Sequence, residues 1–390
     1  MSLRQHLSII GPIKSLNRDL KLLFISNFIW TLGFGLYNYV WPVYIRELGG
    51  SATDVGTVFS ISFLIAMLTY IPGGVLADKY DRKKLIVISC AISVPSALIY
   101  SMATDWRQLI PGVALYYLSF IGIPALYAYI SSSAQQSKAT SAFGVTQSGL
   151  AFGMVLSPTI GAYLLAVADA RWIFRVSFVL YVFSTLTLLF MTKQDPRTNS
   201  QNKNISYLRI LKNRKAALWT LALFLASFAI FLTTPYIPLF LEDRYRVAAV
   251  EIQILGSITS LGMALLGIWV GELGDRWNKR GALSFSLLLF SCSILILLSF
   301  GQFPLIVLAM FLFGISRIVD PVAYSAVGSL SPQEARGKSY SVYQTVEGIA
   351  WMCAPYLGGY LYQLSPNAPF LVALPFTAAL SVISFLILEG

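Results

Sequence analysis

Three ionisable residues lie inside long apolar runs in the second half of the chain. Arg317 and Asp320 belong to the run 303–330, and Glu347 belongs to the run 337–363. A charge at the centre of a bilayer costs roughly 3 kcal/mol, so each of these residues needs a partner or water. Arg317 and Asp320 are three residues apart and share a helical face. Counting about 1.5 Å per residue along adjacent antiparallel helices places Asp320 and Glu347 at the same depth.

Two carboxylates beside one guanidinium leave one excess negative charge, which a bound proton removes. We therefore predict that Glu347 or Asp320 binds and releases H+, with Arg317 tuning the affinity for the proton. The structural alternative is a fixed ion pair beside a permanently protonated Glu347.

The composition identifies the kind of element that must position these charges. Hydrophobic residues make up 56% of the 390 residues, charged residues make up 12%, and the mean hydropathy is +0.70. One soluble core cannot bury so much apolar side chain, so we predict an all-α integral membrane protein. A helix needs about 20 apolar residues to cross the hydrocarbon. Twelve runs qualify: 20–45, 54–77, 84–104, 107–133, 139–167, 171–192, 216–241, 249–273, 280–300, 303–330, 337–363 and 368–388.

The basic residues predict the sidedness. Placing both termini in the cytoplasm puts every lysine and most arginines on that side of a cell membrane. The net charge of +11 then reflects topology and attraction to anionic lipid rather than nucleic-acid binding. His6 is the one histidine, and the three cysteines show no metal spacing. We therefore expect no metal and no cofactor.

The chain contains an internal repeat. The stretch 74–84, GVLADKYDRKK, recurs 197 residues later as 271–280, GELGDRWNKR. Only the first helix of each half slips, by one residue, where Pro42 matches Pro238. The chain is therefore a tandem duplication. We predict a six-helix bundle over 1–192, a cytoplasmic linker over 193–215 and a second six-helix bundle over 216–390.

The repeated stretch resembles the signature of the major facilitator superfamily, Gly-x-Leu-Ala-Asp-Arg/Lys-x-Gly-Arg-Arg/Lys. Asp81 and Asn278 replace a signature glycine, and both residue types tolerate the left-handed backbone expected at that turn. The resemblance implies two pseudo-symmetric bundles that rock about a central site, with the two hairpins acting as gates. The residues that it implies for gating are Gly74, Asp78, Arg82, Gly271, Asp275 and Lys279.

The fifth and eleventh apolar runs carry small residues at intervals of four. In the fifth run Gly149, Gly153, Ser157 and Gly161 form a ridge that Pro158 interrupts, and Pro355 holds the corresponding place in the eleventh. Smooth bent helices of this kind allow two domains to approach and slide. We assign Pro158 and Pro355 to gating, and the resemblance to the antiporter branch modestly favours export. Ordinary close packing is the alternative.

The two halves differ at the charged positions. The first-half equivalents of Arg317, Asp320 and Glu347 are Phe120, Ile123 and Leu150, all apolar. The ionic machinery therefore belongs to the second half alone. Drug antiporters of the superfamily usually have an arginine in their fourth helix, which this chain lacks, so their mechanism does not transfer directly.

Polar and aromatic residues in the apolar runs are candidates for substrate binding. A polar stripe on the first helix predicts a cavity wall, with hydrogen bonding between helices as the alternative. A repeat-related pair of amides and several tyrosines complete the set. The candidates are Asn27, Thr31, Asn38, Tyr127, Gln147, Tyr324, Tyr343 and Gln344.

The resemblance and the buried charges together imply a monomeric secondary transporter that works by alternating access. The leading hypothesis is proton-coupled antiport, in the direction of export, of a small organic molecule. The alternative is symport or uniport of a sugar or an organic anion, with Arg317 holding an anionic group. No catalytic spacing or nucleotide loop predicts an enzyme. The residues do not identify the substrate.

Overall fold

The computed structural model describes residues 17–133, 139–195, 214–276, 278–319, 322, 325–327 and 336–388. All regular structure in these ranges is helical. The α-helices are α1 (Arg18–Gly35), α2 (Trp41–Glu47), α3 (Ala52–Lys79), α4 (Arg82–Met102), α5 (Leu109–Leu118), α6 (Ile123–Ser133), α7 (Ala139–Val167), α8 (Ala170–Leu189), α9 (Arg214–Thr233), α10 (Ile237–Tyr245), α11 (Ala249–Arg276), α12 (Lys279–Ser299), α13 (Phe303–Phe313), α14 (Arg336–Leu364) and α15 (Ala368–Ile387).

These helices follow the predicted membrane spans in order. Within the described residues, nine helical stretches are long and apolar enough to cross a membrane, and a shorter apolar helix covers Phe303–Ile318. The predicted first and eleventh spans are occupied by α1 with α2 and by α14. The all-α membrane fold is therefore confirmed. The predicted linker 193–215 lies largely outside the described residues.

The first span is interrupted, which the sequence analysis did not predict. The apolar run 20–45 predicts one continuous helix, but α1 ends at Gly35, a turn follows, and Pro42 stands in the first turn of α2. Proline lacks an amide hydrogen and its ring clashes with the carbonyl four residues earlier, so the helix breaks before it. Pro238 likewise stands in the first turn of α10, after a short 3-10 segment.

The left-handed backbone expected at Asp81 and Asn278 is not found. Neither residue is left-handed: Asp81 has φ −53° and ψ 117°, and Asn278 has φ −172° and ψ 160°. Each is a helix N-cap, and its side-chain oxygen accepts a hydrogen bond from the backbone N–H of Lys83 or Gly281. Aspartate and asparagine replace glycine here because they cap the next helix.

Inter-residue contacts divide the chain into two units, one comprising Met1–Asn38 and Ile65–Ser200, the other Tyr39–Leu64 and Gln201–Gly390. The segment Tyr39–Leu64 thus groups with the second repeat. The predicted bundle boundaries at 192 and 216 stay a prediction.

The first unit has an aromatic core. Trp30 stacks on Tyr181 and Tyr116, with ring centroids 4.5 and 5.8 Å away. The hydroxyls of Tyr37 and Tyr181 lie 3.0 Å apart. Stacked rings bonded through their hydroxyl groups restrict one another's rotation, so this part of α1 is held firmly against α5 and α8.

A short 3-10 segment interrupts each repeat at the same place. Ser119–Gly122 joins α5 to α6 in the first unit, and Gly314–Ile318 follows α13 in the second. Ser119 and Ser316 are repeat equivalents, and both are buried. The tighter winding changes which side chains point inward, and the cavities of both units lie beside these segments.

Candidate functional site

The predicted acid Glu347 lies in the interior of the second unit, where only 2% of its surface is exposed. One carboxylate oxygen accepts a hydrogen bond of 2.6 Å from the Tyr343 hydroxyl, one helical turn earlier on α14. The same oxygen accepts a hydrogen bond of 3.1 Å from Ser227 on α9. Ser227 was not identifiable from the sequence, because a serine in an apolar helix carries no signal that distinguishes it from a packing residue.

A cavity of about 80 Å³ lies next to Ser227, the residue that binds this carboxylate. Ser227 and Arg317 both line it, and Arg317 is among the exposed residues of the 3-10 segment Gly314–Ile318. Ser227 therefore borders the cavity of Arg317 and also binds Glu347. Asp320, the second predicted acid, lies outside the described residues. The remaining lining residues are Phe63, Ile230, Phe231, Thr234, Ser316 and Trp351.

The first unit holds a larger cavity, of about 170 Å³, at the repeat-related position. Phe120, Ile123 and Leu150 line it, and these are the equivalents of the three second-half charges. Asn27, Trp30 and Tyr127 also line this cavity. Its remaining wall consists of Leu23, Ser26, Ile86, Ser89, Cys90, Ser119, Gly122, Leu126, Ser184 and Leu188.

The other substrate-binding candidates are distributed over both units. Thr31 is buried and packs against Gly153 of α7, where an added methyl group would lie 2.8 Å from its Cβ. Asn38 is half-buried in the turn after α1, and Gln344 is exposed on α14. Tyr343 is fully buried beside Glu347. Tyr324 and the side chain of Gln147 lie outside the described part of the chain.

The hairpin residues show two different environments. Arg82 is buried, with 7% of its surface exposed, and donates hydrogen bonds to Ser132 Oγ, Gln194 Oε1 and the Ala128 carbonyl. Lys279, its repeat equivalent, donates from Nζ to the Ser325 carbonyl at 2.8 Å. Ala128 and Ser325 are themselves repeat equivalents, so the duplication preserves the contact.

Gly74 and Gly271, two of the gating candidates, are not positions of close packing. A Cβ added at Gly74 or Gly271 would meet no atom within 4 Å, whereas one at Gly73 would lie 2.3 Å from the Ile121 carbonyl oxygen. Gly73 is therefore the packing glycine of this stretch. Asp78 is exposed. The side chain of Asp275 lies outside the described residues.

Pro158 and Pro355 both lie inside long helices, α7 and α14. Ser157, beside the first, packs on Gly35 of α1. The Pro355 carbonyl accepts a hydrogen bond from the Tyr236 hydroxyl. The assignment of both prolines to gating stays a prediction.

A charged cluster joins α2 to α10 and α14 in the second unit. The Arg46 guanidinium binds Glu242 and lies 2.7 Å from Asp243 Oδ1, and the Tyr362 hydroxyl donates to Asp243 Oδ2 at 2.7 Å. Sequence reasoning missed this cluster. Its signal was the one-residue slip of the first helices, which makes Arg46 and Glu242 equivalents of opposite charge.

No group of three or more metal-binding side chains occurs among the residues that the structure describes. Helices that cross a membrane, an ionisable residue in their interior and a cavity in each unit together define a membrane transport protein. The chain belongs to the Major Facilitator Superfamily, whose family model matches residues 23–250 and 219–389. It is a transporter and not an enzyme.

Curated relatives match almost the whole chain at low identity. Multidrug resistance protein 2 of Bacillus subtilis is 21% identical over 92% of this chain and 93% of its own length. The enterobactin exporter EntS of Shigella flexneri is 25% identical over 89% and 86%. The quinolone resistance protein NorA of Staphylococcus aureus is 24% identical over 92% and 94%.

Solved structures show the same fold. A nucleoside transporter, NupG in its D323A form, superposes with a TM-score of 0.81 at 14% identity, covering 95% of this chain and all of that one. A transporter of the POT family in complex with a thioalcohol-conjugated peptide gives a TM-score of 0.78 at 13% identity over 96% and 98%. At these identities the likeness concerns the fold alone.

Proposed function

We propose that this chain is a proton-coupled antiporter that exports a small organic molecule, and that Glu347 carries the proton. The observation that carries the proposal is the position of this carboxyl group, 2% exposed and bound by the hydroxyls of Tyr343 and Ser227. Hydroxyl groups can donate to a carboxylate and can also accept from the neutral acid. The same neighbours therefore accommodate both protonation states.

The cavity of Arg317 gives the proton a route. Ser227 lines that cavity and contacts Glu347, so water in the cavity can reach the hydroxyl that binds the carboxylate. The guanidinium favours the charged form of a nearby acid, while burial favours the neutral form. On this proposal Arg317 and burial act on Glu347 in opposite senses, which lets the carboxyl group change protonation during a transport cycle.

Export is proposed from the relatives. Three of them are named as an exporter or as resistance proteins, and together they match nearly all of this chain. Proton binding and substrate binding would favour opposite access states of a monomer in the cell membrane, so one drives the other. The hairpins, with Asp78 and Arg82 in one and Asp275 and Lys279 in the other, would act as gates on the cytoplasmic side.

The protonation of Glu347 can be measured without a known substrate. Infrared difference spectra of the purified protein, recorded as pH is changed, should contain a carboxylic acid band that Glu347→Gln removes. Asp105→Asn, at an exposed carboxylate paired with Arg107, is the matched control and should keep the band. A band unchanged in both Glu347→Gln and Asp320→Asn would refute the proposal.

Transport then tests the direction of coupling. A compound that raises the melting temperature of the purified protein is loaded into liposomes that contain it, because binding stabilises the native state by mass action. Antiport predicts that compound and protons move in opposite directions, and that Glu347→Gln abolishes the response to a pH gradient. Movement in the same direction would instead support symport of an anion, for which Arg317 in its cavity is the candidate ligand.

A further inference from the structure

We infer that the cavity of the first unit binds an uncharged aromatic group and that Asn27 Oδ1 accepts a hydrogen bond from it. This inference rests on the proposed function, because it names the class of substrate that the exporter takes. Three features of the cavity support the inference. Its described lining residues are uncharged, its serine hydroxyls are hydrogen-bonded within the protein, and aromatic rings form one face.

None of the lining residues that the structure describes is Asp, Glu, Lys, Arg or His. A charged ligand that enters the cavity would lose its hydration and find no opposite charge among these side chains, at a cost of several kcal/mol. The equivalent positions of the second repeat hold Arg317, Asp320 and Glu347 instead. A neutral ligand fits the first cavity, and the second retains the ionisable groups.

The serine hydroxyls of the wall already donate within the protein. Ser26 and Ser184 bond to each other at 2.8 Å. Ser89 donates to the Ile86 carbonyl at 2.8 Å, and Ser119 donates to the Tyr116 carbonyl at 2.5 Å. The hydroxyl hydrogens of these serines are therefore engaged within the protein and are not offered to a ligand.

Asn27 differs from the serines. Its amide nitrogen donates to the Thr146 carbonyl at 3.3 Å, which sets the orientation of the side chain. No described residue donates to its Oδ1 oxygen, and the residue is half-buried where it lines the cavity. An amide oxygen can accept two hydrogen bonds, so a ligand O–H or N–H has an acceptor here.

Trp30 provides the aromatic face. Its ring stacks on the rings of Tyr181 and Tyr116, with centroids 4.5 and 5.8 Å away. These contacts restrict the rotation of the indole. Phe120 adds a second ring to the wall. Rings beside the acceptor Asn27 Oδ1 favour a flat apolar molecule that has a hydrogen-bond donor, because aromatic pairs prefer offset or edge contacts.

Cys90 lines the same cavity and reports its occupancy. In a protein with Cys292→Ser and Cys353→Ser, alkylation of Cys90 by N-ethylmaleimide is timed in the presence of three probes. The probes are 1-naphthol, 1-methoxynaphthalene and naphthalene-1-sulfonate. They share one ring system and differ in the donor or the charge.

We expect 1-naphthol to slow alkylation at a concentration about fivefold lower than 1-methoxynaphthalene, since one hydrogen bond separates them. The sulfonate should not protect. Asn27→Leu should remove the difference between the two neutral probes, while Thr187→Val, an exposed hydroxyl change on α8, should keep it. Equilibrium dialysis of tritiated 1-naphthol gives the same comparison without the cysteine.

Three results would overturn the inference: protection by the sulfonate, equal protection by both neutral probes in the unchanged protein, or no binding of 1-naphthol in either assay. Where Asn27→Leu does not fold, Asn27→Asp retains an acceptor and must retain the preference for 1-naphthol. Binding is measured without a pH gradient and again in Glu347→Gln. If Glu347 does not couple transport to protons, the binding result still stands. If 1-naphthol does not bind, proton coupling can still be tested.

Discussion

The two cavities occupy corresponding places in a duplicated chain and have opposite chemistry. Ser119 and Ser316 begin the equivalent lining segments, and both belong to 3-10 turns. The next residue is Phe120 in the first unit and Arg317 in the second. The duplication has kept the backbone break and changed the side chains. The helix interruption thus does not depend on the charge that it presents, and an asymmetric function can be built on a symmetric scaffold.

The largest effect is expected from moving an acid into the first cavity. Leu150→Glu, at the equivalent of Glu347, should lower the free energy of unfolding by about 3 kcal/mol at pH 8. The decrease in the free energy of unfolding should be smaller at pH 5, because a neutral carboxylic acid is less costly to bury than a carboxylate. Unfolding in mixed micelles at both pH values measures it.

Leu150→Gln is the control for that prediction, since it adds a polar group of the same length without a titratable proton. Its unfolding free energy should not depend on pH relative to the unchanged protein. A Leu150→Glu variant as stable as the original at pH 8 would show that the first cavity accommodates charge, and the contrast between the repeats would disappear.

A smaller effect is expected at the two hairpins. Arg82→Ala should lower the free energy of unfolding by about 2 kcal/mol, because it removes charged hydrogen bonds from a buried site. Lys279→Ala should change it by roughly 0.5 kcal/mol, since its hydrogen bond to the Ser325 carbonyl is exposed. Thermal unfolding of both variants, with Lys84→Ala as an exposed control, measures the difference. Equal losses at Arg82 and Lys279 would contradict it.

The charged cluster at the first helices allows a double-mutant cycle. Arg46→Ala and Glu242→Ala should show a coupling of about 1 kcal/mol that falls at high salt, because both side chains are partly exposed. Arg107 and Asp105, exposed by 70% and 44%, provide the reference pair and should show almost none. A coupling that does not respond to salt would indicate a drier cluster than the structure shows.

The smallest effects concern two loops related by the repeat. Gly49 has φ +85°, and Arg246, its equivalent, has φ 55°. Gly49→Ala should destabilise by about 1 kcal/mol through backbone strain alone, since its added Cβ meets no atom within 4 Å. Arg246→Gly should stabilise by about 0.5 kcal/mol. Melting temperatures that move together, rather than in opposite directions, would refute this.

Much of the fold could be predicted from apolar run length, because a bilayer demands about 20 apolar residues per helix. The broken first span could not, since the position of Pro42 indicates that a helix is disturbed but not whether a second one follows. Asp81 and Asn278 were recognised as turn residues, yet their capping role depends on the backbone angles of a folded hairpin.

The candidate site divides in the same way. Glu347 and Arg317 were identifiable because a charge inside an apolar run is costly wherever it points. Their shared neighbour Ser227, and the partners of Asn27, were not identifiable, since serine and asparagine in a helix report neither their facing helix nor their bonding. The repeat shows that Phe120 and Arg317 are equivalent positions. It does not show that both residues line cavities.

The sequence by itself determined the class of protein, the order of its helices, its duplication and the asymmetry of its charges, since these follow from composition and local spacing. Only the tertiary structure decided that Tyr343 and Ser227 bind Glu347, that Arg82 anchors the residues after α8, and that one cavity is apolar and the other ionisable. Hydrogen bonds and cavities depend on which faces of distant helices meet. That is a property of packing, which local periodicity does not encode.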